Sequence, residues 1–307
     1  MKSLGSSLLG ESAALLTSCL WTFGSLLFTS AGRRIGSFSL NAYRTTIAIG
    51  LLVCAHVVLL GAVLPVASSA QWFWMGLSGI VGLGVGDLGL FAAYVAIGPR
   101  RTVLMMASSP IFAVLGAYLM LGEAISILSL IGVAVTLTGI VIVLLEREKT
   151  AVEADGGKRK SWGVLFGMVA AMGQGFGVVL SKEGMYANAS AVLNPLSAAL
   201  IRVTLAACFV WLCAPLVGKL PELKRAVKDR VGVKFTFAGA LVGPFAGMTI
   251  SMVAIAYTEA GIAQTLMSLM PVMIIPLVWV VYKERTNLRG IIGALTAIAG
   301  VAILFLV

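Results

Sequence analysis

Apolar residues run along this chain in long uninterrupted stretches separated by shorter polar connections. Ten stretches stand out, at about 8–31, 38–61, 71–97, 102–121, 126–145, 162–182, 193–217, 233–257, 262–282 and 288–307. A helix needs about twenty such residues to cross a hydrocarbon layer roughly 30 Å thick. Inside that layer a chain must close its own backbone hydrogen bonds, and a barrel would show alternating strands of roughly ten residues instead. The pattern predicts an all-α membrane protein with ten transmembrane helices.

Composition agrees: 60% of the 307 residues are hydrophobic and 11% charged, where a soluble domain carries about 25% charged residues. A net charge of +10 by itself suggests a nucleic-acid partner, but the basic residues lie almost wholly in alternate loops. The loops after segments 1, 3, 5, 7 and 9 hold, among others, Arg33 and Arg34, Arg100 and Arg101, Lys158 to Lys160, Lys219 to Lys234, and Lys283 and Arg285. The other side shows little beyond Lys2 and Lys182. By the positive-inside rule the basic loops face the cytoplasm, which places both termini outside a plasma (inner) membrane that the chain crosses many times. The expected surroundings are lipid and a small-molecule substrate, with no nucleic acid. Cys19, Cys54, Cys208 and Cys213 fall within apolar segments without metal or disulfide spacing, so neither a metal nor a cofactor is expected. The first segment is not read as a cleaved signal, because Glu11 precedes its core and no clean basic stretch leads it.

The polar run 146–161, "EREKTAVEADGGKRKS", divides the ten segments into 8–145 and 162–307 and reads as a linker. Across it Pro110 and Pro271, Glu123 and Glu284, Gly132 and Gly293, and Gly139 and Gly300 are each 161 positions apart. Further correspondences pair "WTFG" with "QGFG" and "AYRTTIA" with "LIRVTLA", so that Trp21 matches Gln174 and Arg44 matches Arg202. Five helices per copy is odd, so the second copy enters the membrane from the opposite face as an inverted repeat. That is an architecture of alternating-access transporters, with substrate held near the midplane.

These residues carry a family resemblance over nearly the whole chain. Trp21 and Gly24, the arginines early in segments 2 and 7, the block "SSPIFAVLGAYLMLGE" with its copy "SLMPVMIIPLVWVVYKE", and the glycine-rich last segment resemble two EamA domains of the drug/metabolite transporter superfamily. "GDLGLFAAYVAIGPRRTVLMMASSP" is similar to a subset with glycine-aspartate in the third helix. The resemblance implies ten helices and export or exchange of small metabolites such as amino acids. One feature departs from it: many members carry basic residues after helices 2 and 4, and here those loops have none.

The duplicated residues define the candidate site. Pro110 and Pro271 lie near the middles of segments 4 and 9, where each removes an amide donor, so both helices are expected to kink with Ser108, Ser109 and Ser268 beside them. Such kinks offer substrate hydrogen bonds, or else merely shape the bundle while the serines bond their own backbone. Methionines 105, 106, 267, 270 and 273 gather around the same points as adaptable packing or pocket residues. Glu123 and Glu284 are placed to meet the positive ends of the helices that follow them. Arg44 and Arg202 are shallow enough to snorkel, or to pair with an anionic substrate group. Trp21 and Gln174 lie on segments 1 and 6, as anchor or as substrate contacts, and the lone His56 reads as a satisfied packing residue. Gly132, Thr136 and Gly139 recur as Gly293, Ala297 and Gly300, giving smooth stripes that pack one half on the other or support a homodimer.

Asp87 stands apart, because aligning Tyr94 with Tyr257 sets Ile250 opposite it and the second copy has no acid there. A carboxylate at the bilayer centre costs about 2.5–3.5 kcal/mol, so it should face the bundle interior, paired or protonated. Gly79, Gly82, Gly86 and Gly89 form a packing stripe, and Asp87 falls to one side of it near Leu83 and Tyr94. A desolvated acid there is suited to exchange a proton or bind a cationic amine, or else to make a structural bond inside the packing. The sequence therefore points to a metabolite exporter or exchanger coupled to protons through Asp87, with a multidrug or organic-cation exporter as the rival. A non-transporting receptor or assembly factor has no use for inverted halves. An enzyme is not expected, since Gly84, Gly86 and Gly89 match G-x-G-x-x-G without a preceding strand.

Overall fold

The computed structural model describes residues 4–123, 126–144, 157–188, 191–270, 272–273 and 288–305, and every regular element among them is helical. Helix α1 (Leu4–Ile35) meets α2 (Ser37–Leu60) across the single residue Gly36, whose φ of 83° lies in the left-handed region open to glycine. After a capping box of Ser68 and Gln71, α3 (Ser69–Ser78) continues through a π-helical stretch, Gly79–Gly86, into α4 (Asp87–Met106). The first half closes with α5 (Ser109–Gly116), a wide turn at Ala117–Leu121, and α6 (Ile127–Leu144).

The second half repeats the plan. Long α7 (Gly157–Tyr186) and α8 (Pro195–Leu216) lead to the short α9 (Leu220–Ala226). Then α10 (Arg230–Ala240) passes through a π-helical stretch, Leu241–Gly247, into α11 (Met248–Tyr257), followed by α12 (Ala260–Met267) and α13 (Leu288–Phe305). Both halves thus widen the helix at corresponding places, and both break it at corresponding places, 107–108 and 268–269.

Six of these helical runs are long and apolar enough to cross a membrane: Leu8–Ile35, Ser37–Leu60, Ser69–Ala93, Trp162–Tyr186, Pro195–Leu216 and Arg230–Tyr257. Three shorter apolar helices, Ser109–Leu121, Ile127–Ile142 and Leu288–Leu304, accompany them. The chain is an all-helical, multi-pass integral membrane protein.

Three local expectations change. The loop expected at 98–101 is helix: Pro99 deprives one turn of a donor, yet α4 runs on to Met106. Residues 157–161, assigned to the linker, already belong to α7. Pro110 does not kink a continuous helix: the break falls at Ala107 and Ser108, and Pro110 sits in the first turn of α5, where no amide donor is required. Pro271, Glu284 and residues 274–282 of the ninth segment lie outside the described residues.

Helices pair across the halves rather than within them. The helix α1 packs on α10 and α11, α7 on α3 and α4, α2 on α8, α5 on α12, and α6 on α13. Exchanging the halves maps the α1 pairing onto the α7 pairing and each of the others onto itself. The stripe Gly132, Thr136 and Gly139 lies directly against Gly300, Ala297 and Gly293, so that face of α6 and of α13 is covered by the chain itself.

Candidate functional site

The two helix breaks come together. At the first, Ser108 folds back on its own backbone, its amide and its hydroxyl both donating to the carbonyl of Met105 at 3.0 and 2.7 Å. At the second, the Ser268 amide donates to Gln264 and Thr265, and its hydroxyl to the Gln264 carbonyl at 2.7 Å. Between them Gln264 Nε2 donates to Ser109 Oγ at 2.9 Å, and Ser109 and Ser268 hydroxyls lie 3.5 Å apart. Ser109, Gln264 and Ser268, at or beside the two breaks, face a common space.

The π-helical stretch positions the acid. Asp87 donates its amide to the carbonyl of Gly82, five residues back, so the turn before it is one residue wider than an α-turn. Its side chain is only 4% exposed and is bonded on both oxygens. Oδ2 takes the guanidinium of Arg44 in an ion pair, and Oδ1 accepts from Gln174 Nε2 at 2.9 Å. The acid is therefore paired, by one residue from its own half and one from the other.

Arg44 does not snorkel. It is 9% exposed, its Nε donates to Asn41 Oδ1 at 3.0 Å, and its guanidinium lies 5.3 Å from the ring centres of both Phe28 and Phe91. An opposite charge and two ring faces give it more inside than the interface offers. Arg202 is also interior, 3% exposed, with Nη2 beside Gly82 and Gly177. Among the described residues its Nε has no hydrogen-bond partner, and its electrostatic partner is Asp87, already bonded to Arg44.

These groups border one cavity of about 860 Å³ between the halves. Of the residues singled out in the sequence, Trp21, Arg44, Asp87, Ser109, Gln174, Arg202 and Ser268 border it. Ser108 and Pro110 do not; the former bonds its own helix and the latter is buried beside it. The side chain of Tyr94 lies outside the described residues. Three of the five methionines, Met106, Met267 and Met270, line the wall, while Met105 packs at Gly167 and Met273 beside Cys19.

One end of the cavity is open and the other sealed. At the open end stand exposed Arg33 and a Lys219–Glu222 pair at 2.7 Å. Along α1 in the other direction Gly10 packs on Thr258, whose carbonyl accepts from Lys182 Nζ at 2.6 Å. Lys182 forms an ion pair with Glu123 there, and Glu123 Oε2 accepts from the Ala260 amide at 3.0 Å. Glu123 does meet a helix N-terminus, but that of α12 in the other half rather than of the helix following it. Long-range folding brings this partner within reach.

Sequence reasoning did not find Gln264, nor the pairing of Glu123 with Lys182. Lys182 had one signal, being the rare basic residue on the side poor in positive charge. Gln264 had none. His56 is buried and bonded at both ring nitrogens, to the Ala62 carbonyl and to Ser197 Oγ at 2.9 Å. Among the described residues no group of three metal-binding side chains comes together.

Comparison with known proteins adds a family and a fold. Residues 8–145 and 161–306 each match the sequence model of the EamA-like transporter family. No curated protein matches the chain. A solved crystal structure, described only as that of a protein, is similar with a TM-score of 0.73 over 97% of this chain and 95% of that one, at 19% identity.

Proposed function

We propose, from a chain that belongs to the EamA-like transporter family, that it exports or exchanges a small metabolite by alternating access between two inverted five-helix repeats of ten spans in all. The observation that carries this reading is the cavity between the halves, bordered by both, open past Arg33 and Lys219 and sealed where Gly10 meets Thr258. From Gly10 to Arg33 along α1 is about 35 Å at roughly 1.5 Å per residue, the thickness of a membrane core. A site shared in this way changes its exposure when the halves rock against each other.

By the positive-inside rule the open end, with its basic residues, faces the cytoplasm of a plasma (inner) membrane, and both termini lie outside. The conformation then faces inward. Asp87 is the coupling group in this reading: taking a proton would release Arg44, and losing it would restore the pair. An organic-cation exporter is less well supported, because the two acids bordering the cavity, Asp87 and Glu222, are held by Arg44 and Lys219.

Protein reconstituted in liposomes and loaded with a defined mixture of amino and organic acids should release members of it under an imposed pH gradient, followed by mass spectrometry. Asp87→Asn should abolish the gradient dependence while eluting as a monodisperse species. If no solute moves under any gradient, a receptor or assembly factor becomes the better reading; if Asp87→Asn responds to the gradient as wild type does, Asp87 is structural.

A further inference from the structure

The charges bordering the cavity do not balance. Arg33, Arg44, Arg202 and Lys219 face two acids, Asp87 and Glu222. Glu222 belongs to Lys219 at the mouth and Asp87 is bonded to Arg44 deeper in, so among the described residues Arg202 is the cation of the inner cavity that has no hydrogen-bonded acid. A guanidinium stays charged at any pH a protein meets. Burying that charge without a partner is costly, and the cost is recovered when an anion arrives.

The surroundings of Arg202 are built to admit it. A methyl group at Gly82 would lie 2.8 Å from Nη2, and one at Gly177 3.1 Å away, so two glycines from facing helices form the sleeve through which the side chain passes. Gly82 is also the residue whose carbonyl accepts from Asp87 across the widened turn. The same glycine therefore places the acid on Arg44 and leaves room for a second arginine beside it. The buried Nε of Arg202 still lacks an acceptor.

We infer that the cavity recognises a small monocarboxylate, its two oxygens on the guanidinium of Arg202 and its apolar body against Trp21, Met106 and Met267. A single surplus charge in the inner cavity matches a monoanion rather than a dianion. The planar fork of an arginine matches the two oxygens of a carboxylate. Methionine walls accept bodies of varied shape, and the Ser109 and Gln264 pair offers a polar contact at the helix breaks. This inference rests on the transport reading for its biological sense, but the binding site itself is tested without transport.

The test is equilibrium binding of radiolabelled phenylacetate to the purified full-length chain in detergent, competed by phenylacetamide, phenethylamine and phenyl phosphate. Phenylacetate should bind saturably, about tenfold or more tighter than its neutral amide, with the amine and the phosphate dianion weaker still. Arg202→Gln should bring phenylacetate down to the level of the amide, whereas Arg34→Gln, at an exposed pair with Asp229, should change nothing. Asp87→Asn should raise phenylacetate affinity several-fold by removing the competing anion, an effect that a purely structural Arg202 does not produce. Equal affinity for phenylacetate and its three competitors, tighter binding of the amine or of phenyl phosphate, or no saturable phenylacetate binding at millimolar concentration overturns the assignment. Carboxylate binding without flux in liposomes would sink the transport reading and leave this site standing; flux confined to cations would do the reverse.

Discussion

Arg44 and Asp87, 43 positions apart, form an ion pair inside the membrane domain, with the arginine held between Phe28 and Phe91. The two partners are not equivalent. Without the acid, Arg44 keeps Asn41 and two ring faces; without the arginine, Asp87 keeps Gln174 and the nearby charge of Arg202. Arg44→Gln and Asp87→Asn should each destabilise, by about 3–5 kcal/mol, as expected when one member of a buried pair is removed. The double variant should recover part of that loss, which thermal unfolding of the four proteins in detergent would reveal.

Glu123 and Lys182 seal the end remote from the basic loops. Glu123→Gln keeps the shape and removes the charge attraction, so the population should shift toward opening at that end, by about tenfold if the lost interaction is near 1.4 kcal/mol. A cysteine at Ala263, which is fully buried, reports this in a background lacking the four native cysteines. Its labelling by a membrane-impermeant maleimide applied from that side should quicken in Glu123→Gln; an unchanged rate would mean that the pair is not a gate.

Gly139 lies against the backbone of Ala297 and Gly293, with no room for a side chain. Gly139→Leu should force α6 away from α13 and destabilise by about 1–3 kcal/mol, the usual range for overpacking. Because this face is used within the chain, the variant's oligomeric state by light scattering should match that of the wild type. A change from dimer to monomer would show that the stripe joins two chains.

Asp229 caps α10, accepting from the amides of Val231 and Gly232 at 3.1 and 2.9 Å, and pairs with Arg34 at 3.0 Å. The Gly232 amide first, then Arg34, hold its carboxyl below the usual carboxylate range. A lowered pKa in the folded state means that stability is contributed at neutral pH and is lost only as pH falls through the depressed value. The melting-temperature gap between wild type and Asp229→Ala should be full at pH 7 and narrow only below the ordinary aspartate value of about 3.9.

The distinction between what was legible and what was not follows from distance along the chain. Helix breaks at 107–108 and 268–269 lie within three residues of the duplicated prolines, because proline acts on its own turn. The stripe on α6 was visible as a repeat of small residues, and so was the isolation of Asp87. The partners were not visible. Nothing in the spacing of Asp87, Arg44 and Gln174 says that they meet, or that Glu123 caps a helix more than a hundred residues away.

By itself the sequence determined the solvent and the periodicity: long apolar runs require helices in lipid, and a repeat at a constant offset requires two related halves. Those are local or statistical properties of the chain, and they survive any detail of packing. Only the tertiary structure decided which charges neutralise each other, because an ion pair depends on which helix faces cross. With Asp87 given to Arg44, Arg202 is left, among the described residues, as the positive charge without a bonded acid in the inner cavity, and that remainder is a property of the assembled halves rather than of either one.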